Sequence, residues 1–317
     1  MDQLPAGTKI SYELLWKAII RPPKDEYSEI ELGEPLFTYN KKDYIRRDYK
    51  LLSSRGYIMR CSFLEPIEDN RPSEIMPVIV YCHGNSSCRL EGWRMRKLLM
   101  DLNINLFVFD FPACGLSEGE YISLGYHEQN DLKVIIDFVE KIPGVGKIGL
   151  WGRSMGAATT LMYTHQDDRI ACAIMDSPFA DFPRLAEEMA RNAIRLPSFI
   201  ISLALTILNR TVKSKNDMDV NELKPIEHAE FTYKPGLFIH ANNDQLINFQ
   251  HSVDIMEKYA GDKSFVSCEG GHNSCRPKSV LDCIRRFLKR NLVDEHEDIN
   301  GQSIQSIESI QSVSNDK

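Results

Sequence analysis

Apolar and polar positions alternate between two periods along most of this chain. Short apolar runs of strand length stand at Pro77–Cys82 (PVIVYC), Asn105–Asp110 (NLFVFD), Lys147–Trp151 (KIGLW), Ile170–Met175 (IACAIM), Pro235–His240 (PGLFIH) and Lys263–Cys268 (KSFVSC). Strands that are apolar on both sides need cover on both faces, as in a parallel sheet. Between them lie stretches of helical period: Arg89–Leu102, Tyr126–Ile142, Ala157–Thr164, Asn248–Tyr259 and Pro277–Leu292, the last with a proline suited to its first turn. Ahead of them, Asp43–Leu52 and Tyr57–Leu64 read as strands joined by the turn residues Ser53-Ser54-Arg55-Gly56. An antiparallel hairpin followed by alternating strands and helices predicts an α/β fold, a mostly parallel sheet flanked by helices.

The alternation pauses between 177 and 234, where Pro183–Arg195 and Leu196–Leu208 (LPSFIISLALTIL) read as helices. The second run is too short for a membrane span, which takes about 20 apolar residues. A lid over a pocket, a helix buried in the core and a surface-embedded membrane helix compete for it. Its place between two strands near the candidate site favours the lid. Ser11–Ile20 reads as a short helix capped by Ser11 and stopped by Arg21-Pro22-Pro23. Its apolar side packs on the body or meets a membrane surface, and its few basic residues favour packing. From Val293 the composition turns acidic, then Ser/Gln/Ile-rich, with Ile at every third position of Ser303–Ser312. Such a tail is expected to be disordered or to recruit a protein partner. The expected organisation is thus a helix and lead-in over 1–42, an α/β domain over 43–292 with a helical insertion at 177–234, and a tail over 293–317.

Composition narrows the class. The 317 residues are 43% hydrophobic and 26% charged, enough for a sizeable core. A net charge of −7 argues against a nucleic-acid binder, which needs a basic surface stripe. The eight cysteines form no Cys-x-x-Cys pair, and the first residues carry no secretory pattern, so free thiols in the cytoplasm are expected.

Chemistry concentrates where Lys147–Trp151 runs into Gly152-Arg153-Ser154-Met155-Gly156 and then into a helix with small residues on its first turn. Strand, Gly-x-Ser-x-Gly, helix is the form of a nucleophile elbow, where the serine sits on a strained turn and neighbouring side chains would collide. A serine hydroxyl needs a base and a group that orients the base. The acid is read as Asp244, in the loop after Pro235–His240, with Asp176 at the end of the preceding strand as the rival. The base is read as His272, which two glycines could carry across the strand ends in Gly270-Gly271-His272-Asn273. Two backbone N–H donors are needed for an oxyanion. One is that of Met155, after the serine, and the other belongs to the loop His83-Gly84-Asn85. Cys268, His272 and Cys275 lie close together, but their spacing is not that of a zinc module, so neither metal nor cofactor is expected.

Together these segments resemble the α/β-hydrolase superfamily. The resemblance extends to a eukaryotic branch of serine hydrolases filed beside the serine-aminopeptidase and prolyl-oligopeptidase-like hydrolases. It is carried by Arg21-Pro22-Pro23, Ser54-Arg55-Gly56, Tyr81-Cys82-His83-Gly84-Asn85-Ser86, Trp151–Gly156, Asp176-Ser177-Pro178-Phe179 and Gly271-His272-Asn273-Ser274, and spans Leu14 to Leu292. It implies Ser154 as nucleophile, Asp244 as orienting acid, His272 as base, and the N–H groups of Asn85 and Met155 as the oxyanion hole. Two positions depart from the family pattern. The loop after His83-Gly84 lacks the glycine run of many lipases, which speaks against bulky tertiary esters, and Ala241 stands where many members have glycine.

The expected function is hydrolysis of an acyl ester, thioester or lysolipid through an acyl-enzyme. The apolar insertion suggests room for an acyl chain, while Glu187 and Glu188 leave an aminopeptidase reading open. A non-catalytic binding module on the same fold is the third reading. The expected partners are a small acyl or peptide substrate, with peripheral membrane contact open through the two apolar segments, and no nucleic acid.

Overall fold

Residues that alternate in direction along a strand must find apolar cover on both sides if both sets are apolar, and the central strands do so. In the computed structural model, which describes residues 11–193 and 198–294, the strand Met76–Cys82 sends Val78 and Val80 into one core and Ile79 and Tyr81 into another across the sheet. The readings of Leu196, of Pro197 and of the tail from 295 onward lie outside the described residues.

Among the described residues a single sheet has nine strands: β1 (Leu36–Tyr39), β2 (Lys42–Leu52), β3 (Ile58–Pro66), β4 (Met76–Cys82), β5 (Asn105–Phe109), β6 (Val145–Arg153), β7 (Ile170–Asp176), β8 (Gly236–Ala241) and β9 (Lys263–Cys268). Their order is β1-β2-β3-β5-β4-β6-β7-β8-β9. The pairs from β1 to β5 are antiparallel, and those from β5 through β4 to β9 are parallel. All parallel strands therefore end on one edge, where their loops can converge. The expected mostly parallel sheet flanked by helices is the fold observed.

β1 has no counterpart in the apolar pattern. It is an edge strand whose side chains are half-buried or exposed, so it lacks an apolar run. Asn40 and Lys41, both at positive φ (49° and 64°), form its two-residue hairpin turn to β2. The stretch 89–102 is two short helices, Leu90–Trp93 and Arg96–Asp101, rather than one. The insertion holds helices Phe182–Ala193 and Ser198–Asn216; the second runs eight residues beyond Leu208 because no glycine or proline interrupts TVKSKN. Leu208 and Val212 on it are buried, whereas Leu203 and Ile207 are exposed. The helix Tyr12–Ile20 packs against this second helix: Tyr12 Oη donates to Ile207 O at 3.2 Å, and the Lys215 ammonium lies 4.5 Å from the Trp16 ring centre. Trp16 and Ile20 are buried.

The turn after β5 is built on a buried charge. Asp110 accepts hydrogen bonds from Tyr27 Oη (2.8 Å), Arg89 N (2.6 Å) and Leu116 N (3.0 Å), while Arg89, itself buried, donates to Tyr27 and to Ser62 Oγ (3.1 Å). Removing Asp110 leaves the buried guanidinium with only the exposed Glu29 as counter-charge, at 3.3 Å. Asp110→Ala is predicted to cost about 3–5 kcal/mol of folding free energy, measured as a fall in the urea midpoint.

Candidate active site

The elbow is set by backbone pressed against backbone. A Cβ on Gly156 would lie 2.0 Å from Cys82 O and 2.7 Å from His83 O, and one on Gly152 would lie 2.1 Å from Gly156 O. Only glycine fits at either place. Between them Ser154 takes φ 52° and ψ −117°, a strained conformation for a residue with a Cβ. Its amide donates to Asp176 O at 2.8 Å, which ties the turn to the end of β7. The helix Met155–Thr164 starts directly behind it and is buried throughout.

The predicted acid and base meet. His272 Nδ1 lies 2.6 Å from Asp244 Oδ2. Asp244 Oδ1 accepts from the amides of Leu246 and Ile247, both at 2.9 Å. Burial pushes this carboxyl up, but hydrogen bonds from His240 and His272, the His272 charge and the Ile247 amide outweigh it and hold it well below the ordinary carboxylate range. It is therefore a carboxylate, and His272 Nδ1 is its donor. Ser154 Oγ and His272 Nε2 are not hydrogen-bonded to each other here; such bonds often tighten only when substrate binds.

The proposed oxyanion donors lie beside the serine. A Cβ on Gly84 would be 3.7 Å from Ser154 Cβ, so the loop after β4 runs alongside the elbow. Neither the Asn85 nor the Met155 amide donates a hydrogen bond among the described residues. His83 shapes this loop: its Nε2 accepts from Phe111 N at 3.0 Å, so Nδ1 carries the hydrogen and donates to Gly84 O at 2.8 Å.

Asp176, the rival acid, is taken by Arg276, whose Nη2 and Nε reach its two oxygens at 2.6 and 2.9 Å. Glu187 accepts from Arg191, and Glu188 accepts from Arg184 (2.9 Å) and from the buried His251 (3.0 Å), so both acidic residues considered for an amine are held by their neighbours. Sequence reasoning passed over two contributors. His240, read there as a strand-end residue, donates through Nε2 to Ile247 O (2.9 Å) and faces Asp244 Oδ2 (3.3 Å), while Nδ1 accepts from Ser252 Oγ (2.7 Å). Its position four residues before Asp244 was the available signal. Arg153 donates through Nη2 to His272 O at 2.6 Å; as the variable member of Gly-x-Ser-x-Gly it gave no signal.

A mostly parallel sheet with a strained Gly-x-Ser-x-Gly turn after a central strand, and with Asp244 and His272 in contact on later loops, defines a class of fold. The pattern of the α/β-hydrolase fold matches residues 77–201. An uncharacterized Bacillus subtilis protein, YqkD, is 31% identical over 206 residues, 64% of this chain and 67% of that protein. The zebrafish (Danio rerio) lysophosphatidylserine lipase ABHD12 is 26% identical over 196 residues, 60% of this chain and 48% of its own length. The chain thus spans about half of that relative. The Pyrococcus furiosus esterase Pf2001 superposes with a TM-score of 0.64 at 20% identity, covering 86% of this chain and all of that one, a likeness of fold. The chain belongs to the α/β-hydrolase superfamily.

The lowered carboxyl makes a pH prediction. A carboxyl whose folded value lies below its unfolded value of about 3.9 stabilises fully above that value and loses the contribution as pH falls toward the folded one. The gap in urea midpoint between wild type and Asp244→Asn is therefore predicted to be complete above pH ~4 and to shrink at lower pH.

Proposed function

We propose that this chain is a serine hydrolase that cleaves an acyl ester, thioester or lysolipid bond. The observation that carries the reading is the 2.6 Å contact between His272 Nδ1 and Asp244, on loops at the same sheet edge as the strained Ser154. In this mechanism His272 Nε2 takes the Ser154 proton as Oγ attacks the acyl carbonyl. The tetrahedral oxyanion rests on the Asn85 and Met155 amides at the start of a buried helix. His272 returns the proton to the leaving alcohol, and an acyl-enzyme remains. Water, deprotonated by the same imidazole, then releases the acid. Asp244 keeps the imidazole in the required tautomer and stabilises its protonated form.

An ester is favoured over a peptide for two reasons. Glu187 and Glu188 are engaged by Arg191, Arg184 and His251, so no acidic side chain of that helix stands ready for a free amine. A similar protein is a lysophosphatidylserine lipase, and a protein of similar fold is an esterase. The insertion between β7 and β8 presents Leu203 and Ile207 to the outside, apolar surface suited to an acyl chain. No helix among the described residues is long and apolar enough to cross a membrane.

A fluorophosphonate probe is expected to label wild type and not Ser154→Ala. With p-nitrophenyl esters of rising chain length, Asp244→Asn is expected to lose about 10⁴-fold in kcat. Absent labelling of folded wild type would return the fold to the non-catalytic binding reading.

A further inference from the structure

Ser154 and His272 sit on separate loops and are not hydrogen-bonded to each other. A buried ionic bridge lies between the two loops. At the end of β7, Asp176 faces both ways. Its backbone carbonyl holds the Ser154 amide at 2.8 Å. Its side chain holds Arg276 at 2.6 and 2.9 Å, with the two side chains 5% and 6% exposed. Arg276 in turn donates to Ser177 Oγ (3.0 Å) and to the carbonyls of Ser274 (3.3 Å) and Gly271 (3.4 Å), which flank His272. From the elbow side, Arg153 donates to His272 O (2.6 Å) and Ser274 O (3.4 Å). The loop is closed on itself by Ser274 Oγ, which accepts from Gly271 N at 2.9 Å.

A buried ion pair contributes little net stability, because desolvation offsets most of the Coulomb attraction. Apolar side chains could fill the same space. What an apolar filling could not supply is a planar fork that grips a carboxylate and backbone carbonyls at fixed angles. Ser177, which follows Asp176, holds φ 54°, a second strained residue beside the one at Ser154. Such strain persists only where the surroundings over-determine the backbone.

We infer that Asp176, Arg276 and Arg153 are positioning residues that set the Ser154–His272 distance by clamping the His272 loop to the nucleophile elbow. The inference rests on the serine-hydrolase reading above for its effect on rate, but the clamp acts on the His272 loop whatever the reaction. Because a displacement of about 1 Å costs on the order of 10²-fold in rate, loosening the clamp acts on kcat and not on binding.

The test compares wild type with Arg276→Met, Arg276→Lys and Arg153→Met. Hydrolysis of p-nitrophenyl butyrate, the rate of fluorophosphonate labelling and the NMR titration of the His272 ring are followed. In Arg276→Met and Arg153→Met, kcat and the labelling rate are expected to fall by roughly 10²-fold with KM within about threefold, and the His272 ring signals to shift. Arg276→Lys, which keeps the charge and loses the fork, is expected to recover part of the loss. Should Arg276→Met fail to fold, Arg153→Met decides, since its side chain lies outside the Asp176 pair. Folded variants with unchanged kcat and unchanged His272 signals, and only a lower melting temperature, would overturn the clamp. If wild type is itself inert toward probe and ester, the hydrolase reading fails, while the His272 signals still decide whether the arginines hold the loop.

Discussion

Backbone contact between β6, its following helix and the loop after β4 is the constraint from which the site follows. Carbonyl oxygens of Cys82 and His83 occupy the space that a side chain at Gly156 would need. With no side chain there, the loop bearing Gly84 and Asn85 lies against the turn bearing Ser154. The same closeness forces the serine into positive φ and lifts its hydroxyl from the sheet edge. Strand order completes the arrangement. β4 and β6 are neighbours, with β7, β8 and β9 following on one side, so every loop that brings chemistry leaves the same edge.

Two buried carboxylates near this edge meet different fates. Asp176 is matched by a guanidinium, which holds its proton at any pH of interest, and so becomes an anchor. Asp244 is matched by imidazoles and backbone amides. An imidazole can gain and lose a proton near neutrality, so this carboxylate can support proton transfer without being consumed by a permanent cation. Donor identity, not burial, separates the two carboxylates.

The insertion between β7 and β8 connects this machinery to its surroundings. Its first helix is tied to the body through Glu188 and the buried His251, and Arg184 also pairs with Asp254. Its second helix carries exposed Leu203 and Ile207 and leans on the helix Tyr12–Ile20. Ser154, Asp244 and His272 thus lie on loops held by the sheet, while the exposed Leu203 and Ile207 lie on a helix held by side-chain contacts.

Much of this was legible along the chain. Doubly apolar runs marked the central parallel strands, because burial on both faces leaves no polar alternation, while the parallel edge strand Lys263–Cys268 is mostly half-buried or exposed. The elbow declared itself through Gly152 and Gly156, since steric exclusion has a fixed spacing. The order of Ser154, Asp244 and His272 placed each on a successive loop, as the parallel topology requires. The edge strand Leu36–Tyr39 stayed hidden because a half-exposed strand needs no apolar run. So did the division of 89–102, where Gly92 presses against the Tyr81 ring. Chain order already favoured Asp244 over Asp176 as the partner of the histidine, and Asp244 meets His272. Tertiary structure alone decided the partner of Asp176, which is Arg276, a contact across 100 positions. Local pattern records which face of the chain is buried and where side chains cannot fit. Pairing of charges between distant loops has no period and no spacing, so it exists only once the chain has folded.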